Sequence, residues 1–389
     1  MNIETFKINI ADEALADLQQ RLRHTRWPQA LDEDSWEDGT SLRFLKQLAA
    51  YWQDGFDWRA QEQRLNALPH FLTEIDGQKL HFIHCKGKGS GKAKGPDALP
   101  LVITHGWPGS FFEMERLIPL LTDPAAHGGD AADAFDVVVP SLPGYGFSQA
   151  PKTPGMGTYE IAGLWLKLMN GLGYQQFCAQ GGDIGAGVSS WLAYRFPQQL
   201  KSFHLNFVPA SYRPFLGDKQ KPVTQEEQAY LDGVPIWAAA EGAYAHMQST
   251  KSQTLAYGLT DSPIGLAAWI VEKFRSWSDC DGDVLSVFSM DSLLTDICLY
   301  WFSGTLDASL RLYKETRLRP LVLKAGERIT PPLGVAHFPK ELLTPPRSWV
   351  ERGFNVTHWS DMPKGGHFAA MEQPERLAQD IRAHFRAVR

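Results

Sequence analysis

Between residues 99 and 207 the chain alternates short apolar runs with amphipathic stretches of helical period. Residues 100–104, 136–140, 177–180 and 202–207 read as strands, and 112–121, 159–172 and 184–196 as the helices between them. A continuous apolar run of strand length has both faces covered, and strands separated by helical crossovers run parallel. This spacing predicts an α/β fold whose sheet is predominantly parallel, with helices on both faces. The pattern resumes within 321–338 and at 354–359, and a last amphipathic helix is expected over 374–388.

The segments on either side read differently. Residues 11–68 have helical period, interrupted by Trp27-Pro28 and by the polar run 32–39; residues 71–74 and 80–84 read as two strands around an Asp76-Gly77 turn. Residues 87–95, rich in Gly and Lys, are expected to be a solvated loop. After Pro209 strand signals stop for about a hundred residues while 261–277 and 291–301 look helical, which predicts an inserted helical cap. A chain of 389 residues exceeds one ordinary core, so four blocks are expected. They are an N-terminal extension (1–95), the first half of an α/β core (96–209), a helical cap (210–318) and the second half of the core (319–389).

Composition excludes several classes. A formal net charge of -6 leaves no basic footprint for nucleic acid. The four cysteines lie far apart without a CxxC pair, which argues against a disulfide scaffold or structural zinc and fits a reducing compartment. Residues 1–7 carry no signal-peptide core, and no run reaches the ~18–20 apolar residues of a membrane span. A soluble, cytoplasmic protein is expected. Thirteen tryptophans suit a deep apolar pocket as well as a core.

The chemistry concentrates in Gly181-Gly182-Asp183-Ile184-Gly185, between a predicted strand and helix. It has the form of a nucleophile elbow, small-x-nucleophile-x-small, with Asp where an esterase has Ser. An aspartate here could also be a plain helix N-cap, but the strand–turn–helix setting favours the nucleophile. A carboxylate displaces a leaving group at saturated carbon to give an alkyl ester. Water must then attack that ester, which needs a base and an oxyanion hole. His105-Gly106-Trp107-Pro108 follows the strand ending at Thr104, so the backbone N–H groups of Trp107 and Ile184 are the expected oxyanion donors. His105 is expected to be structural. The base is expected at His367 in the loop Lys364-Gly365-Gly366-His367-Phe368. For the acid that orients His367, spacing leaves Glu327 and Glu341 comparable.

Taken together, His105–Pro108, the Gly-Gly-Asp elbow, Phe338-Pro339-Lys340-Glu341-Leu342 and Gly365-Gly366-His367-Phe368-Ala369 resemble the microsomal-type epoxide hydrolases of the α/β-hydrolase superfamily. The similarity spans nearly the whole chain and includes Arg26-Trp27-Pro28 and Phe56-Asp57-Trp58-Arg59, similar to that family's N-terminal domain. The membrane anchor of the animal members has no counterpart here. The resemblance implies that Glu341 is the acid and that the cap residues Tyr244 and Tyr313 bind and protonate the epoxide oxygen. An opening epoxide makes an alkoxide too basic to leave unassisted, which is why phenols are needed. One departure is Ile184, where the family usually has Trp: the backbone donor survives but a pocket-lining ring is lost.

The expected activity is epoxide plus water to vicinal diol, in the setting of aromatic and xenobiotic epoxide detoxification. No metal and no organic cofactor is expected. The partners expected are a small-molecule epoxide and water, with neither nucleic acid nor membrane, and a homodimer as the assembly. Two rival readings are a dehalogenase, which would use the same Asp-His chemistry with halide-binding N–H donors from Trp or Asn, and a catalytically silent ligand-binding protein.

Overall fold

The structure, a computed structural model, describes residues 1–88, 98–217 and 220–389; residues 89–95 of the expected solvated loop lie outside these. Among the described residues nine strands form one sheet: β1 (Ile3–Phe6), β2 (His70–Ile75), β3 (Gln78–Cys85), β4 (Leu99–Thr104), β5 (Phe135–Pro140), β6 (Phe177–Gly181), β7 (Leu200–Leu205), β8 (Ile329–His337) and β9 (Phe354–Asp361). Their spatial order is β1-β2-β3-β5-β4-β6-β7-β8-β9. β4 to β9 run parallel, as the strand–helix alternation requires, and β1 to β3 add an antiparallel edge. Leu101, Val102 and Ile103 of β4 and Val137, Val138 and Val139 of β5 are wholly buried, the reason these strands read as unbroken apolar runs. Asp76 and Gly77 both have positive φ (53° and 77°), the geometry a two-residue hairpin needs to match the strand twist.

The helices before the cap are α1 (Asp12–Arg23), α2 (Leu42–Asp54), α3 (Trp58–Leu65), α4 (Leu117–Thr122), α5 (Thr158–Gly171) and α6 (Asp183–Arg195). The cap holds α7 (Gln225–Glu241), α8 (Ala243–Asp261), α9 (Pro263–Trp277), α10 (Met290–Ser303) and α11 (Leu306–Leu318). After it come α12 (Arg347–Glu351), α13 (Ala369–Glu372) and α14 (Pro374–Phe385). No helix of the described residues is long and apolar enough to cross a membrane.

Three expectations need correction. The helix read over 112–121 is a 3-10 turn, Phe111–Met114, followed by α4. Pro119 has no N–H to donate back four residues, so it is accommodated in the first turn of a helix that starts at Leu117. The helix read from 261 begins at Pro263, where Ser262 Oγ accepts the Gly265 N–H at 3.0 Å. α14 ends at Phe385, and Arg386–Val388 tightens into a 3-10 turn. The sequence also gave no warning of β1, whose four residues are too few to set a period and are held by pairing with β2.

The N-terminal helices lie on the cap, α1 and α2 beside α9 and α2 beside α10. Tyr51 Oη donates to Asp291 Oδ1 at 2.7 Å, and Thr40 Oγ1 to the Ala268 carbonyl at 2.7 Å. A buried ion pair ties the start of the cap to the core. Glu227 in the first turn of α7 takes two bonds from Arg352, Nε to Oε1 at 2.8 Å and Nη2 to Oε2 at 2.6 Å. Arg352 also donates to the Lys221 and Pro222 carbonyls. The Arg352 hydrogen bonds outweigh burial and hold the Glu227 carboxyl down at about 2.

A carboxyl depressed on folding adds stability above its unfolded value, near 4.3, and loses it as pH falls toward 2. Glu227→Gln should therefore cost about 3 kcal/mol at pH 7. In urea melts run across pH, that deficit should shrink below about pH 4. A deficit that stays constant down to pH 2 would contradict the ion-pair assignment.

Candidate active site

Asp183 is the first residue of α6, immediately after β6, and its φ is +46°. L-residues avoid this region, and the surroundings enforce it by close packing. A Cβ on Gly185 would stand 1.9 Å from the Thr104 carbonyl oxygen, so α6 can approach the end of β4 only because that position is glycine. Gly106 is needed from the other side, since a Cβ there would lie 2.3 Å from Asp183 Oδ1. The elbow thus sits at the carboxyl ends of the central strands β4 and β6, where sites of parallel sheets form.

The two carboxylate oxygens have different partners. Oδ1 accepts the Trp107 N–H at 2.8 Å, while Oδ2 is 3.5 Å from His367 Nε2. Trp107 is therefore where the sequence places it. Ile184, the other expected donor, makes no hydrogen bond to the carboxylate. Its N–H lies in the first turn of α6, where no intrahelical acceptor exists, and so remains available. Ile184 itself is half-buried against the core.

His367 Nδ1 lies 2.6 Å from Glu341 Oε1, and both side chains are buried. Burial alone would lower the imidazole, but the Glu341 charge, together with hydrogen bonds to Asp183 and Glu341, carries it well above its ordinary value. The network assigns the Nδ1 proton to the Glu341 side. Glu341 Oε1 also accepts the Leu342 N–H at 2.7 Å, which fixes the carboxylate's direction. Glu327 is elsewhere: its Oε2 accepts the Lys324 N–H at 2.8 Å within its own turn. Of the two acids that spacing left open, only Glu341 reaches the histidine. His105 is structural as expected, Nε2 accepting the Leu142 N–H at 3.2 Å.

Tyr244 on α8 and Tyr313 on α11 meet edge to face, ring centroids 5.9 Å apart. Trp107 stacks on Tyr244 (5.5 Å, 11°) and stands perpendicular to Tyr313 (5.8 Å, 90°). The residue that binds Asp183 Oδ1 through its backbone thus carries both phenols on its ring. Burial, followed by neighbouring negative charge including Asp183, raises both hydroxyls far above the usual phenol range, so both keep their protons. Tyr313 Oη is buried and its nearest polar neighbour is the Tyr244 hydroxyl, so it meets no carboxylate or carbonyl acceptor and stays open to an acceptor on a ligand.

The sequence reading missed several residues around this group. Phe207 and Trp277 pack edge-on against His367 at 5.5 Å and 5.2 Å, and no spacing pattern distinguishes them from ordinary core aromatics. Glu113 and Asp296 lie beneath the Trp107 turn. Burial pushes them up to about 8 and about 7, and Ser110 Oγ donates to Asp296 Oδ1 at 2.7 Å. Glu372, which binds the His367 loop, had one available signal, an acid five residues beyond the histidine at the end of the following helix.

Comparison with known proteins shows the family and the fold. Residues 3–114 match the family described as epoxide hydrolase N terminus, and residues 100–257 match the alpha/beta hydrolase fold. Epoxide hydrolase 1 of Sus scrofa is 39% identical over 98% of this chain and 88% of its own length. The structure of Aspergillus niger epoxide hydrolase superposes with a TM-score of 0.85 at 32% identity, covering 100% of this chain and 97% of that one. The juvenile hormone epoxide hydrolase of the silkworm Bombyx mori superposes with a TM-score of 0.87 at 30% identity, covering 100% and 95%.

The geometry separates the two candidate acids by experiment. Glu341→Gln should lower turnover of an epoxide by about 10²–10⁴-fold, since it removes the charge that fixes and stabilises the imidazolium. Glu327→Gln should stay near wild type in the same steady-state assay. The reverse ranking would overturn the assignment of Glu341.

Proposed function

The chain belongs to the microsomal-type epoxide hydrolases of the α/β-hydrolase fold, and on that premise we propose that Asp183 opens the epoxide and His367 hydrolyses the resulting ester. Oδ1 is engaged by the Trp107 N–H, so Oδ2 is the attacking atom. It forms a bond to one epoxide carbon while the C–O bond to that carbon breaks. The departing oxygen takes a hydrogen bond or proton from Tyr244 and Tyr313, leaving a hydroxyalkyl ester on Asp183.

Alkylation then changes the base. Esterified Asp183 carries no charge, so one of the groups that raise His367 is gone, and the imidazolium gives its Nε2 proton to solvent, which leaves Nε2 free to accept one. Water attacks Cγ of Asp183 as His367 Nε2 takes its proton, and Glu341 stabilises the imidazolium. Charge collects on Oδ1, where the Trp107 N–H already points and the free Ile184 N–H is the second proposed donor. Collapse returns that proton to the departing alcohol oxygen. The water's second proton, left on the Asp183 carboxyl, passes to His367, and the phenol that gave its proton regains one from solvent, so the carboxylate, the imidazolium and both phenols are restored. The sum is epoxide plus water to vicinal diol, with no metal or organic cofactor in any step.

The observation that carries this reading is Asp183 held between the Trp107 N–H and His367, with the buried phenols of Tyr244 and Tyr313 paired above it. Trp107, Trp277 and Phe207 make the surroundings aromatic, which supports bulky aromatic and xenobiotic epoxides as the substrate class. One feature favours the dehalogenase reading: the Nε1 atoms of Trp107 and Trp277 are buried without acceptors, the kind of donor a halide would use. The names of the relatives weigh against it. A homodimer and a cytoplasmic location stay proposals; four free cysteines fit a reducing compartment, and sedimentation reads the assembly.

Single-turnover alkylation separates the two chemistries. A halide leaves without a proton, whereas an epoxide oxygen needs one. Tyr244→Phe and Tyr313→Phe should each slow alkylation by an epoxide about 10²–10³-fold, and the double variant should be nearly inert. Wild-type enzyme that releases halide from a matched haloalkane but fails to turn over epoxides would move the assignment to dehalogenation.

A further inference from the structure

The loop that carries His367 is tied to the cap. Gly365 N–H donates to Asp279 Oδ2 at 2.9 Å, and Gly366 N–H to Glu372 Oε2 at 3.0 Å. His367 N–H donates to the Trp277 carbonyl at 2.9 Å, and Phe368 N–H to Glu372 Oε1 at 2.9 Å. Glu372 Oε2 takes one more bond, from the Asp279 N–H at 2.8 Å. Every backbone donor from 365 to 368 therefore ends on residues 277–279, where the chain leaves α9, or on Glu372. This explains both glycines before the histidine. Gly365 has φ +116°, and a Cβ on Gly366 would stand 2.6 Å from the Trp277 carbonyl oxygen.

The same cap segment touches the other half of the chemistry. The Trp277 ring packs on His367 (5.2 Å) and on Tyr244 (5.0 Å), so one stretch of chain lies against both the base and a proton donor. All three groups aimed at Glu372 are N–H donors, which a carboxylate accepts on its two oxygens and which offset part of the burial that raises its carboxyl to about 7. An amide would turn its own NH₂ toward one of them.

We propose that Glu372 is a positioning residue that, with Asp279, locks the base loop to the cap and so holds His367 Nε2 over the Asp183 ester. This rests on the reading of His367 as the hydrolytic base. Attack by Asp183 does not pass through His367, and the clamp's hydrogen bonds end on the base loop and not on Tyr244, so loosening it should act chiefly on the second half-reaction. A merely structural anchor would instead lower stability without choosing between steps.

The test is rapid-quench single turnover with styrene oxide. Ester formation and decay are followed by intact-protein mass for wild type, Glu372→Gln, Glu372→Asp, Asp279→Asn and His367→Gln. Glu372→Gln should alkylate within about threefold of wild type but hydrolyse its ester about 10²-fold more slowly, so that the ester accumulates. Glu372→Asp should recover part of the loss, and the downfield proton resonance of the His367–Glu341 bond should broaden in the Gln variant and return in the Asp variant. Equal loss in both steps, or unchanged hydrolysis, would overturn the proposal. Should Glu372→Gln fail to fold, Asp279→Asn weakens only the Gly365 attachment and carries the same comparison. His367→Gln serves as the reference: if it traps no ester, the failure lies with His367 as the base and not with the clamp.

Discussion

A carboxylate fixed in left-handed backbone at the junction of β6 and α6 is the constraint to which the rest of the site conforms. Such a conformation costs an L-residue about 1–2 kcal/mol, and close packing on every side sustains it. Thr104 leaves no room for a side chain at 185, and Asp183 leaves none at 106. With those glycines in place, β4 ends where the Trp107 N–H meets Oδ1, and the other oxygen is left facing His367. The sharp turn thus gives the two oxygens of one carboxylate different partners, which the proposed mechanism uses as an oxyanion position and a nucleophile.

Core and cap divide the reaction between them. In the proposed reaction the core supplies the nucleophile, the oxyanion donor, the base and its acid, all from the carboxyl ends of parallel strands or the loops beyond them. The cap supplies two protonated phenols, kept so by burial and by the negative charge below. Trp107 belongs to the core but carries the cap phenols on its ring. The Glu227–Arg352 pair fixes one end of the cap, and the residues after α9 fix another, beside the base.

Much of this was legible in the sequence, for identifiable reasons. Parallel strands buried on both faces leave apolar runs, so β4 to β7 stood out, whereas β1 is a four-residue edge with no period to read. Asp183, Trp107 and His367 were legible because the elbow and its loops require glycines at set positions. Glu341 was not legible from spacing: what distinguishes it from Glu327 is the approach of residues 338–341 to the His367 loop, marked by the bridge between Lys340 and Gly366. That contact joins segments with no local signal, and only the family resemblance reached the residue. The tyrosines were hidden similarly, since α8 is rich in Ser, Thr and Gln and its period does not announce a buried face. Trp277 and Phe207 act through tertiary contacts alone, which no local pattern encodes, whereas Glu372 binds backbone only four and six residues before it and left the local signal of an acid just beyond the histidine.

The central claim is that Asp183 becomes covalently attached to substrate, and it has one direct test. Wild-type enzyme in excess over epoxide is allowed a single turnover in water enriched in ¹⁸O, and both the diol and the peptide containing Asp183 are weighed. Attack by water on Cγ of the ester puts the solvent oxygen into the carboxylate, so the account requires label in Asp183 and an unlabelled first-turnover diol. A first-turnover diol that carries the label, with Asp183 unlabelled, would mean that water opens the epoxide directly and would contradict the account.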